Sequence, residues 1–177
     1  MDLKTKLSAR IGMDDIHEIL RLVQQNDERR LALYKLLFDE DEKIGYHAAW
    51  IFTHFSQKDN EWLYSKQNEL INKVLVCKHG GKRRVILNLL YKQPLATPPR
   101  VDFLDFCLKR MLSAQELPGV QSLSMKIAYE LCRSIPELMQ ELKITLEMME
   151  RDLCPAIRAV RSNILKAMQK GKSLQKL

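Results

Sequence analysis

Apolar residues in this chain recur at helical spacing in paired segments, and the second segment of each pair returns at an uneven period of roughly 40 residues. Aligned on a small or branched inner position, Ala49, Leu87, Ala128 and Ser162 stand 38, 41 and 34 residues apart. The clearest of these segments covers residues 41–55, where Ile44, Ala48, Ile51 and Phe55 make one apolar stripe of a helix. The entries rhyme as well. A turn residue precedes a branched apolar residue in Asp41-Glu42-Lys43-Ile44, Gly81-Lys82-Arg83-Arg84-Val85 and Pro155-Ala156-Ile157. A single helical hairpin cannot bury its stripe alone, so such units must stack and share a continuous core. Composition agrees: β-branched runs are almost absent, while Leu, Lys, Glu, Met, Ala and Gln dominate, which favours helix over strand.

The chain then reads as about nine helices in four to five hairpins. Asp14-Asp15 opens the first, with Ile16, Ile19, Leu20 and Val23 on its face. Others are expected over 28–38, 41–55, 61–77, 82–93, 101–113, 120–134, 136–150 and 156–168. His79-Gly80-Gly81 is read as the stop of the 61–77 helix, and the three prolines of 94–99 as a helix-free linker. Residues 1–12 are expected to be a loosely ordered lead, 13–170 a single repeat domain, and 171–177 a frayed basic tail.

Residues 45–50, GYHAAW, and 156–165, AIRAVRSNIL, resemble the HEAT-like, armadillo-type repeat superfamily, and the resemblance extends over about residues 13–170. It implies an all-α, right-handed α-α superhelix whose second helices line a concave side. One branch of that superfamily excises alkylated bases from DNA, with aromatics around the lesion and a catalytic Asp one helical turn beyond a Trp. Here Trp50 is followed at that spacing by His54 and Trp62 by Lys66, so the likeness does not carry the activity over.

The formal charge is +7 and uneven: residues 1–60 carry −2, 61–115 carry +6 and 116–177 carry +3. Lys82, Arg83, Arg84, Lys126, Arg158 and Arg161 would form a basic stripe if the stacking is regular, able to hold phosphates or to pair with acidic turns of neighbouring repeats. Tyr46, Trp50 and Trp62 are candidate surface aromatics, with core packing as the plainer reading. The expected function is a non-catalytic scaffold that binds a protein or peptide on its concave face. Nucleic-acid backbone binding is the alternative.

Nothing in the pattern asks for a cofactor. The four histidines make no ligand pattern, and Cys77, Cys107, Cys132 and Cys154 contain no CxxC pair, so no metal site is expected. The cysteines are read as reduced and largely buried, which with the absence of a signal-like apolar core points to a cytoplasmic protein without membrane insertion.

Overall fold

The computed structural model describes residues 2–149 and 153–177, so the predicted end of the 136–150 helix at Glu150 lies outside the described residues. Among the described residues the chain is all-α with no strand. It divides into two compact units, Met1–Leu89 and Leu90–Leu177.

In the first unit the helices are α1 (Leu3–Ser8), α2 (Met13–Val23), α3 (Asp27–Leu36), α4 (Glu42–Phe52), α5 (Gln57–Asn60), a 3-10 segment (Glu61–Lys66), α6 (Gln67–Val76) and α7 (Gly80–Tyr91), the last crossing the boundary. Polar caps set the starts. Asn26 accepts from the Arg29 amide at 2.9 Å, and Asp41 accepts from the Lys43 amide at 2.9 Å. α4 is the centre of this unit and packs against α1, α2 and α3. Ile44, Ala48, Ala49, Ile51 and Phe52 are all buried, the predicted stripe widened around the helix by Ala49 and Phe52. Each large side chain so enclosed contributes on the order of 1.5–3 kcal/mol of burial.

Two features of this unit depart from the sequence reading. The lead is helical at α1, because Leu3 and Leu7 lie four apart and Leu7 is wholly buried. His47 on α4 donates from its Nδ1 to the Leu7 carbonyl at 2.7 Å, and Lys4 pairs with Asp39 at 2.9 Å. Further, Gly80 and Gly81 begin α7 instead of ending the preceding helix. The Lys82 amide donates to His79 Nδ1 at 3.0 Å, so His79 caps the new helix.

The second unit contains α8 (Val101–Met111), α9 (Pro118–Cys132), α10 (Pro136–Glu147) and α11 (Pro155–Lys170). Three of these begin with proline in the first turn, where the missing N–H has no intrahelical partner to lose. α9 packs against α8, α10 and α11 and is apolar nearly all round, with Val120, Leu123, Met125, Ile127, Ala128, Tyr129, Leu131 and Cys132 buried. α11 stops at Gly171, whose φ of 61° is left-handed and open to glycine at little cost.

The segment after Gly171, predicted to fray, lies against its own unit. The Tyr129 hydroxyl donates to the Lys172 carbonyl at 2.6 Å, and the Leu174 amide donates to Glu130 at 2.7 Å. The Gln175 side chain donates to the Tyr91 and Gln93 carbonyls at 2.7 and 2.8 Å. These partners are 43 to 84 residues apart in sequence, which is why no local pattern announces them.

Candidate interaction surfaces

The six basic candidates separate by environment. Lys82 and Arg83, expected on a surface stripe, are buried. The Arg83 guanidinium closes on the Cys77 carbonyl through Nε at 3.2 Å and a terminal nitrogen at 2.9 Å. Cys77 caps α6, so this carbonyl is one that the helix itself leaves unsatisfied, and an arginine there suits the negative end of the helix.

Lys82 has a side chain with no exposed area, and its ammonium lies 3.4 Å from Glu42. No hydrogen-bond acceptor among the described residues meets its Nζ. Space for it comes from Gly45 on α4: a Cβ there would run into Lys82 Nζ and would stand 2.9 Å from both Lys82 Cε and the Leu37 carbonyl oxygen. Desolvation holds the Lys82 ammonium below its ordinary pKa, reinforced by repulsion from Lys73 and opposed by Glu42. Both residues therefore serve the interior of the first unit and are unavailable to a phosphate.

Arg84, next to them on α7, is exposed. In the second unit, Lys126 is half-buried with its ammonium 5.6 Å from the Tyr91 ring centroid. Arg158 is exposed and reaches the Leu153 carbonyl at 3.4 Å. Arg158, Arg161 and Lys166 line one side of α11 together with Ser162, Leu165 and Gln169, around an open groove of about 360 Å³. None of Arg84, Lys126, Arg158, Arg161 and Lys166 forms an ion pair with a described carboxylate. By contrast Arg110 and Arg133 are held by Glu116 and Glu130, at 3.0 and 3.3 Å.

The aromatic candidates also separate. Trp62 belongs to a packed cluster. It lies parallel to Phe52 within 4° at 6.1 Å and meets Tyr34 edge-on at 5.7 Å. The Lys66 ammonium stands 4.3 Å from its ring centroid and the Arg30 guanidinium 5.6 Å. The Tyr34 hydroxyl donates to Glu69 at 2.6 Å. Tyr46 and Trp50 stack at 6.4 Å on α4, both half-buried, with His47, His54 and His79 about them. Trp50 thus has the histidine at the position where a base-excision site would place its acid.

Apolar surface is concentrated in the second unit. Leu112, Leu117, Ile144 and Met148 are exposed, and a groove of about 300 Å³ is lined by Met111, Leu112, Met148, Met149 and Ile157, among others. Sequence reasoning missed this patch because Ile144 and Met148 fall within helical patterns that look like core. It missed the segment after Gly171 for want of any local signal.

No group of three His, Cys, Asp or Glu side chains among the described residues is placed to hold a metal ion. No helix among them is long and apolar enough to cross a membrane.

Searches of curated proteins and of solved structures each found no match. The family model that does match is described as a HEAT repeat domain, and it spans residues 3–168, taking in α1 as well as the region where the sequence pattern was first apparent. With helical hairpins built around α4 and α9 and a family match over nearly its whole length, this chain belongs to the HEAT repeat domain family.

Proposed function

We propose that the chain is a non-catalytic helical-repeat scaffold whose second unit binds a protein partner, with the α11 groove taking an acidic segment of that partner. The observation that carries this reading is the set Arg158, Arg161 and Lys166 around Leu165, three cations in an open groove with no described carboxylate to neutralise them. Guanidinium forks match carboxylates in a two-point geometry, so Arg158 and Arg161 suit Asp or Glu side chains. Leu165 offers an apolar contact between them.

The same cations would also take phosphates, and the +9 charge of residues 61–177 keeps nucleic-acid backbone binding as the second reading. The exposed Ile144, Met148, Leu112 and Leu117 favour protein, since protein interfaces combine an apolar centre with a polar rim and a phosphate backbone has no use for such residues.

The test is fluorescence polarisation with the full chain, using labelled peptides rich in Asp, Glu and Leu beside labelled duplex DNA and single-stranded RNA. The expected result is peptide binding that falls at least tenfold on replacing Arg158, Arg161 and Lys166 together by Ala. Tighter binding of nucleic acid, with an affinity dropping steeply between 50 and 200 mM salt as counterion release requires, would establish the second reading instead. Binding of none of the probes at 50 mM salt would remove both.

A further inference from the structure

We propose that Tyr129 and Glu130 of α9, with the Tyr91 and Gln93 carbonyls, form a second docking site, one that recognises an extended peptide, and that residues 172–175 of this chain occupy it as an exchangeable ligand in cis. A partner segment carrying a serine and, two residues on, a glutamine would compete for it. The inference rests on contacts made by none of the residues that line the α11 groove, and it stands whether or not that groove binds an acidic segment.

The contacts are those by which a protein holds a foreign strand. Two of them address the main chain of the segment. Tyr129 donates its hydroxyl to the Lys172 carbonyl at 2.6 Å, and Glu130 accepts the Leu174 amide at 2.7 Å. Main-chain contacts of this kind hold an extended segment irrespective of its side chains, and the remaining contacts supply the choice. The Ser173 hydroxyl lies 2.9 and 3.0 Å from the two Glu130 oxygens, which calls for a hydroxyl one residue before the bonded amide. The Gln175 amide donates to the Tyr91 and Gln93 carbonyls, which calls for a side-chain amide one residue after it. Tyr91 is the last residue of α7, so its carbonyl has no later amide of that helix to pair with.

The receptor side is enclosed and the ligand side is largely open. Tyr129 is 1% exposed within the α9 core, and the Glu130 side chain is 3% exposed and braced by Arg133 at 3.3 Å. Lys172 and Ser173, in contrast, are exposed, while Leu174 and Gln175 are only half-buried. The segment therefore covers polar receptor groups without supplying core. Glu130 is enclosed with the segment in place, so release of the segment exchanges the Ser173 and Leu174 donors for water or for those of another occupant.

The test keeps the full chain and releases the segment in two independent ways. Leu174→Pro removes the amide that Glu130 accepts, and Ser173→Asp sets a second carboxylate against it. The probe is a labelled nine-residue peptide with the sequence of residues 169–177, followed by polarisation at 150 mM salt. In the unaltered chain the tethered segment acts at an effective concentration in the millimolar range and should suppress binding in trans. Both release variants should bind the peptide at least tenfold more tightly than the unaltered chain. Adding Glu130→Gln should abolish the gain, and replacing Arg158, Arg161 and Lys166 by Ala should leave it in place. Equal binding to the unaltered and released chains, equal binding of a scrambled peptide, or no binding to either variant up to about 1 mM would overturn the proposal. Loss of helical circular dichroism in both variants would overturn it too, because an exchangeable ligand cannot be required for folding.

Discussion

Gly45→Ala should destabilise the protein even though alanine is the better helix former. In the middle of α4 the substitution would by itself favour the helix by about 0.5–1 kcal/mol. Against that, the new methyl would stand 2.9 Å from the Leu37 carbonyl oxygen and 2.9 Å from Lys82 Cε, and closer still to Nζ. Ordinary contacts between carbon atoms lie at about 3.5–4.0 Å, so both neighbours must move. Lys82 has no exposed area into which its end can swing, and Leu37 contributes backbone. Overpacking costs about 1–3 kcal/mol, and contacts under 3.0 Å on two neighbours, one of them backbone, place it at about 2–2.5 kcal/mol, which leaves a net loss of about 1–2 kcal/mol. For a chain of this size that corresponds to a fall in Tm of about 2–8 °C. The assay is thermal and urea unfolding by far-ultraviolet circular dichroism, for Gly45→Ala, Lys82→Met and the pair. Lys82→Met removes a buried ammonium that lacks a hydrogen-bond partner and should be neutral or stabilising. Because it also removes the nearest clashing atom, Gly45→Ala should cost less in that background by about 1 kcal/mol, the Leu37 contact persisting. A Gly45→Ala protein as stable as the parent, or an identical cost in both backgrounds, would refute the assignment of Gly45 as the cradle of Lys82.

The pH dependence follows from the same lysine. Its folded pKa lies below the unfolded value of 10.5, so between the two the unfolded chain holds more protons and stability rises with pH. The advantage of Lys82→Met over the parent should accordingly shrink as pH rises from 7 towards 10.5, and an advantage that grows would contradict the burial argument. Among the thiols, Cys154 is exposed while Cys77, Cys107 and Cys132 are buried, with burial pushing Cys132 up to about 11. Ellman's reagent should therefore find one fast thiol in the native protein, and Cys154→Ser should abolish that phase. Tyr34→Phe removes the donor to Glu69 and should lower stability by about 0.5–1.5 kcal/mol in urea unfolding, whereas no change would mean that water replaces the hydroxyl.

The helices were legible in the sequence where a local cause sets them. Asp41, Pro118, Pro136 and Pro155 mark starts because capping and proline geometry act within one turn, and the stripe from Ile44 to Ile51 is buried as its spacing indicates. The basic candidates were legible only in type. Lys82, Arg83 and Arg84 are consecutive, yet the first is enclosed over Gly45, the second is turned onto the end of α6, and only the third faces outward. Successive residues on a helix point about 100° apart, so a run of like charges cannot all share one environment. Which of them is enclosed depends on a glycine 37 residues away, a relation that no local pattern contains. The same holds for Glu130, whose role depends on a segment more than 40 residues further on.

The placement of the aromatic cluster has a practical consequence. Both tryptophans of the chain, Trp50 and Trp62, lie within residues 1–89, and the second unit has none. Intrinsic tryptophan emission therefore follows the loosening of the Phe52–Trp62 and Tyr46–Trp50 stacks in the first unit alone, whereas backbone ellipticity follows α8 to α11 as well. Recorded on one sample, the two signals make the chain its own test of cooperativity: superimposed transitions mean that both units unfold together, and displaced transitions give each unit a midpoint of its own.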